Sequence, residues 1–191
     1  MAVLYVRVPD DRLGVIIGSG GATKRRIEQR TGTSLKIDRE DGSIEVVAPD
    51  AGDPIGLLKA RDVTLAIGRG FSPARAERLF RDDTYLGVID IKMVTGRHQK
   101  ASLWRIRSRL IGTDGKARSR IEELSGCSMS VYGSTVALIG QERQLERATR
   151  AVELLLRGSE HAAVFHLLAR QRREDARDDA TTTTVEVLGE E

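Results

Sequence analysis

The chain has 191 residues, 40% hydrophobic and 31% charged, which is enough for two small domains that each bury a core. Its net charge of +3 leaves polyanions open as partners, and one cysteine, Cys127, excludes an internal disulfide framework and fits a reducing cytoplasm. The apolar N-terminal stretch ends at Arg7, too short for a signal peptide, and no run approaches the roughly 18 apolar residues of a membrane helix, so a soluble cytoplasmic protein is expected.

Val3 to Val8 alternates apolar and polar positions, as a half-buried strand does. Pro9 and Asp10 open a short helix through Ile17, which Gly18 to Gly21 interrupts. Ala22 to Arg30 resumes as a helix with Gly32 just past its end. Ser34 to Asp38 and Ile44 to Ala48 form a hairpin around Asp41-Gly42, and Asp53-Pro54 starts a helix that runs to Gly68. Ser72-Pro73 caps a short linking helix through Phe80. The spacing then predicts a strand over Tyr85 to Ile91, helices over Lys100 to Ile111 and Ala117 to Leu124, and strands over Met129 to Tyr132 and Thr135 to Ile139. A helix follows from Arg143 to Leu156 and another from His161 to Arg173. The acidic, threonine-rich end from Glu174 reads as a mobile tail.

This order is a repeat. Ile17-Gly18-Ser19-Gly20-Gly21 through Glu28 recurs 94 residues later as Ile111-Gly112-Thr113-Asp114-Gly115 through Glu122, without a gap. Thr31 to Ile37 maps likewise onto Ser125 to Val131. A helix N-terminus carries unpaired N–H groups and partial positive charge. Glycines before it let a phosphate backbone approach without meeting a β-carbon, and the apolar surface beside the loop gives bases somewhere to lie. A single G-x-x-G carries little weight; two, each after paired aliphatics and before a helix in a six-element pattern, carry much more.

Leu13-Gly14-Val15-Ile16-Ile17-Gly18-Ser19-Gly20-Gly21 resembles the KH-domain signature almost residue for residue, and Arg109-Leu110-Ile111-Gly112-Thr113-Asp114-Gly115 resembles its second form. The resemblance implies an α+β fold of two type I KH domains, each β-α-α-β-β-α with a three-stranded antiparallel sheet packed on helices, plus a linking helix and a C-terminal helix. Domain boundaries are expected at 1–70, 71–84 (linker), 85–158, 159–174 (C-terminal helix) and 175–191 (acidic flexible tail). KH modules hold about four unpaired nucleotides over this loop. Ala60 to Pro73, Val131-Tyr132-Gly133 and Leu154 to Ser159 also resemble the archaeal ribosome-assembly KH proteins, relatives of the eukaryotic partner-of-Nob-one. That narrower resemblance implies single-stranded RNA near the 3′ end of 16S small-subunit rRNA as target. It also implies the 3′-end maturation endonuclease and the initiation factor 2 α subunit as partners.

The residues expected at RNA are Leu13, Gly14, Ile17, Gly18, Ser19, Gly20, Gly21, Lys24, Arg25 and Lys36 in the first copy. In the second they are Arg105, Arg107, Arg109, Ile111, Gly112, Thr113, Asp114, Gly115, Lys116, Arg118 and Ser130. Many KH loops place a cation between the glycines; here Ser19-Gly20 and Thr113-Asp114 stand instead, and Asp114 sets a carboxylate beside a phosphate. Nine Lys or Arg against that one acid between Lys92 and Arg120 compensate, giving the second copy most of the electrostatic attraction and leaving base reading to the first. Ile17, Ile27, Leu35 and Ile37 are core residues first, and Tyr132 is a packing residue rather than a stacking platform. No metal site, cofactor site or catalytic set is legible: Cys127 has no histidine near it, and His161 and His166 lie on different helix faces. The expectation is therefore a monomeric, non-enzymatic RNA-binding protein. The alternatives are a KH adaptor of transcription elongation or RNA decay, a KH module used for protein docking, and an RNA-processing enzyme.

Overall fold

The computed structural model describes residues 2–49, 53–96 and 99–188, with side chains to Arg177. Arg97, one of the nine cations, and His98 lie outside the described residues. The elements in order are β1 (Ala2–Arg7), α1 (Asp10–Ile17), a 3-10 turn (Ser19–Gly21), α2 (Ala22–Thr31), β2 (Ser34–Ile37), β3 (Ser43–Ala48) and α3 (Pro54–Gly68). There follow α4 (Pro73–Ala76) with a 3-10 turn (Glu77–Phe80), β4 (Tyr85–Asp90), α5 (Ile91–Thr95), α6 (Lys100–Ile111), a 3-10 turn (Thr113–Gly115), α7 (Lys116–Ser125), β5 (Ser128–Tyr132), β6 (Thr135–Gly140), α8 (Glu142–Leu156) and α9 (His161–Leu188). Strand-helix-helix-strand-strand-helix therefore occurs twice, with one added short helix in the second copy. Two KH domains result.

Local chemistry explains the boundaries. The Asp53 carboxylate accepts the N–H groups of Ile55 (2.9 Å) and Gly56 (3.2 Å), with Pro54 at the first helical position. Ser72 caps α4 in the same way through the Arg75 N–H. Gly32 and Gly126 end α2 and α7 in the left-handed conformation.

By its internal contacts the chain divides into two compact units, Met1–Asp90 with Ser128–Glu142, and Ile91–Cys127 with Arg143–Glu191. The first holds both sheets, each antiparallel with the last of its three strands in sequence lying in the middle: β1-β3-β2 and β4-β6-β5. Register sets Val6 opposite Ile44 and Leu35 opposite Val46 in one sheet, and Met129 opposite Leu138 in the other. The period-2 pattern sends Val6, Leu35, Ile44 and Val46 into a core with Ile16, Ile27, Val63 and Ile67. Phe71 and Leu79 extend that core to Ala137 and Ile139 of β6. In the second unit α7 packs along α9, where Val164 and Leu168 are buried. Arg147 bridges Asp175 at 2.7 Å, and Arg172 donates to the Glu123 carbonyl.

Two expectations are corrected. The strand expected to reach Ile91 stops at Asp90, and α5 begins with Ile91 fully buried and its carbonyl accepting the Thr95 hydroxyl at 2.6 Å. The last helix does not give way to a tail after Arg173; it continues to Leu188. No glycine or proline stands between Gly158 and Gly189 to stop it. The Arg170–Glu174 pair at 3.5 Å and the Arg147–Asp175 bridge support the turns where the tail was expected to begin. Among the described residues no helix is long and apolar enough to cross a membrane.

Candidate nucleic-acid interface

The loop between α1 and α2 and the loop between α6 and α7 are built from the same backbone conformations. Gly18 sits at φ 73°, ψ 175° and Gly112 at φ 72°, ψ 173°. Two residues on, Gly20 is at φ 55°, ψ 23° and Asp114 at φ 54°, ψ 26°. Asp114 is the one non-glycine residue at positive φ among those described, in a region that Asp and Asn enter most readily after glycine. At the first loop position sterics decide the residue. A β-carbon on Gly18 would stand 2.3 Å from Thr23 Oγ1, and one on Gly112 2.7 Å from the Ala117 Cβ.

Matching hydrogen bonds close the two loops. The Gly18 N–H donates to the Gly14 carbonyl (2.9 Å) and the Gly21 N–H to that of Gly18 (3.1 Å). Gly112 to Ser108 (2.8 Å) and Gly115 to Gly112 (3.2 Å) repeat the pattern. Between these bonds Ser19 and Gly20, and again Thr113 and Asp114, are exposed. Among the described residues, none of their four N–H groups meets a protein acceptor. Each loop thus offers two adjacent main-chain donors at the positive end of a ten-residue helix.

The cations are divided between loop and scaffold. Lys24 lies 3.8 Å from Glu28, and its repeat partner Arg118 lies 3.9 Å from Glu122, so both are shared with a carboxylate one turn on. Glu28 also accepts the Leu35 N–H at 2.8 Å, tying α2 to β2. Arg25 is exposed and leans back over the first loop, its Nη1 3.0 Å from where a Gly21 β-carbon would stand. Lys36 is exposed on β2 and lies 3.8 Å from Glu45. Arg105 and Lys116 are exposed, and Arg107 is half-buried.

Beside the first loop, Gly14 is exposed with nothing within 4 Å of its would-be β-carbon, and Ile17 is half-buried. These two leave an open apolar surface on α1. Leu13 does not belong to it: at 6% exposure it sits in the core with Ile16, on the stripe of α1 that faces α3. In the second copy Ile111 is half-buried like Ile17. Arg109 is turned to a scaffold task, donating to the Gly158 carbonyl at 3.1 Å and to that of Ser159. The hydroxyl of Ser130 donates to the Arg69 carbonyl at 2.9 Å. Tyr132 is half-buried, lying under Arg12 and bonded to Asp11.

Sequence reading passed over Trp104, which is exposed on α6. Its signal was present: it is the chain's only tryptophan, inside a stretch from Ile91 to Thr113 that holds no acid.

Comparison with known proteins agrees with this geometry. Residues 3–62 match the KH domain model, and residues 85–173 match the eukaryotic-type (type I) KH domain in the form found in the second domain of partner-of-Nob-one. The KH domain-containing protein MJ0443 of Methanocaldococcus jannaschii is 42% identical over 173 residues, 90% of this chain and 75% of the relative. Among solved structures, Dim2p from Pyrococcus horikoshii superposes with a TM-score of 0.83 at 46% identity, covering 89% of this chain and 99% of that one. The structure of the P. horikoshii a/eIF2α–aDim2p–rRNA complex gives 0.84 at 45%, covering 91% and 95%. APE0754 of Aeropyrum pernix, a protein of unknown function, gives 0.92 at 36%, covering 97% and 98%. The chain belongs to the KH family, as a tandem KH-domain RNA-binding protein of the archaeal Dim2p type and a relative of the eukaryotic partner-of-Nob-one.

Proposed function

We propose that this protein is an assembly factor of the small ribosomal subunit that holds unpaired RNA at the 3′ end of the small-subunit rRNA. The observation that carries the reading is the pair of matching loops, each presenting two unbonded N–H groups at the start of a helix. A phosphodiester satisfies such donors, and the glycines let it come close. In the first copy Gly14, Ile17 and Lys36 provide the surface on which bases lie, with Arg25 and Lys24 beside the phosphates. In the second, Arg105, Lys116 and Arg118 supply attraction that offsets Asp114. The likeness to the P. horikoshii complex of aDim2p with rRNA and a/eIF2α supports rRNA as the target. It also supports the initiation factor 2 α subunit as a protein partner.

The protein works by binding rather than by catalysis, in the cytoplasm where subunits mature, and it assists the nuclease that trims the 3′ end. The test compares a single-stranded oligonucleotide from that 3′ end with an unrelated single strand and a duplex of equal length. Preference for the first, with steep salt dependence, is the expected result. Equal affinity for all three would remove the target. Incubation of purified protein with precursor RNA should yield no cleavage, and specific cutting would overturn the non-enzymatic reading.

A further inference from the structure

Helix α6 presents a continuous exposed stripe. Lys100, Ala101, Trp104, Arg105 and Ser108 all face solvent, at the i, i+4, i+8 spacing that lines one side of a helix. The stripe ends at the second loop, where Gly112 continues the row and Thr113 and Asp114 expose their N–H groups. Trp104 is 62% exposed, a large apolar surface to leave in water. Among the described residues no ring or guanidinium covers it, and neither Lys100 nor Arg105 beside it has a hydrogen-bond or ion-pair partner.

We propose that Trp104 is a stacking platform for a base of the same RNA strand that the second loop grips, with Lys100 and Arg105 holding the phosphates on either side. The inference rests on the proposed function and deepens it, extending the second site along α6. At the rise of an α-helix, Trp104 stands about 12 Å from Gly112, within reach of nucleotides flanking the one at the loop. An indole face accepts any base, and the flanking cations give the strand its direction. The absence of acid from Ile91 to Thr113 makes the stripe complementary to a polyanion. An acidic protein surface would match that charge too, but it would not explain why the stripe runs into the loop's free N–H groups.

The only tryptophan is its own reporter. The full chain is titrated with single-stranded RNA of the small-subunit rRNA 3′ end, following intrinsic fluorescence and, separately, binding by filter retention. Quenching at saturation is expected, with affinity reduced roughly tenfold in Trp104→Ala and largely kept in Trp104→Phe. The salt slope should stay the same in both, because no charge is removed. Unchanged affinity in Trp104→Ala overturns the proposal, whether or not fluorescence changes, and is the outcome if the stripe serves a protein partner. The loop variant Thr113→Asp separates the two claims. If it weakens binding while Trp104→Ala does not, the platform fails and the loop stands. If neither it nor Ser19→Asp with Gly20→Asp has an effect, the reading beneath the platform fails as well.

Discussion

The Tyr132 hydroxyl donates a hydrogen bond to the Asp11 carboxylate, joining the last residue of β5 to the second residue of α1. Arg12 lies over the same ring, 5.8 Å from its centroid, and its guanidinium reaches the carbonyls of Ile67 (2.9 Å) and Phe71 (2.7 Å). Ser130 binds the Arg69 carbonyl from the other side, and Gly70 passes so close that a β-carbon there would stand 2.7 Å from the Ser130 hydroxyl. The chain leaving α3 is thus clamped between α1 and β5. The start of α1 is fixed by these contacts, and its other end opens into the loop of Gly18 to Gly21.

Tyr132→Phe tests the clamp. The bond to Asp11, then burial and the Asp11 charge, raise the tyrosine pKa above its ordinary value of 10.0. A group whose folded pKa is raised stabilises the fold fully below its unfolded pKa and loses that contribution as pH rises through the folded one. Wild type should therefore exceed Tyr132→Phe by about 1 kcal/mol or less at neutral pH, the bond being solvent-exposed. The difference should hold to about pH 10 and shrink above it. Urea melts of both proteins across that range would show it, and a difference that widened with pH would refute the assignment.

Gly20 and Asp114 share one backbone conformation within a few degrees, so they can be exchanged. Asp114→Gly should leave stability within about 1 kcal/mol, because relief of positive-φ strain is offset by added freedom of the unfolded chain. RNA affinity should rise several-fold once the carboxylate leaves the phosphate; at 4 Å in water two unit charges differ by about 1 kcal/mol. Gly20→Asp should fold and bind several-fold more weakly. Retention of folding with no change in either affinity would show that the loops do not meet phosphate.

Most of the architecture was legible because local signals agreed with one another. The repeat at 94 residues, the Asp53-Pro54 and Ser72-Pro73 caps and the terminal glycines each name an element without help from distant residues. The loop was legible for the same reason: each contact that fixes its geometry spans five positions or fewer. What sequence could not supply was the partner of a long polar side chain. Arg109 looks like any cation of a basic helix until the Gly158 and Ser159 carbonyls come into place, and Ser130 looks free until Arg69 arrives. Leu13 failed differently, since only packing against α3 decides which side of a short helix is inside.

Gly14 and Gly18 should respond in opposite directions to the same substitution. Gly14→Ala adds a methyl to open space in a helix, so stability should rise by about 0.5–1 kcal/mol. If bases lie on that surface, RNA affinity should fall nonetheless. Gly18→Ala drives a β-carbon to 2.8 Å from the Thr23 nitrogen at φ 73° and should cost more than about 2 kcal/mol. Thermal melts paired with RNA titrations separate the two effects. A stabilised Gly14→Ala with undiminished affinity would move the bases elsewhere.

Arg105 and Arg109 stand one helical turn apart and should prove to be different kinds of cation. Arg109 donates through Nη2 to two carbonyls at the turn between α8 and α9, and the His161 ring nitrogen lies 2.9 Å from the Arg109 carbonyl. Arg109→Ala should cost about 1–2 kcal/mol of stability, and Arg109→Lys should restore much of it, since a single nitrogen meets both acceptors and an ammonium has donors for both. Arg105 is exposed with no protein partner among the described residues. Arg105→Ala should leave the melting curve unchanged, weaken RNA binding at low salt and lower the slope of log affinity against log salt by about 1. Measuring melts and salt titrations on both variants gives a two-by-two outcome. If Arg109→Ala lowered the salt slope and left stability alone, the division between scaffold and RNA-facing cations on α6 would be reversed.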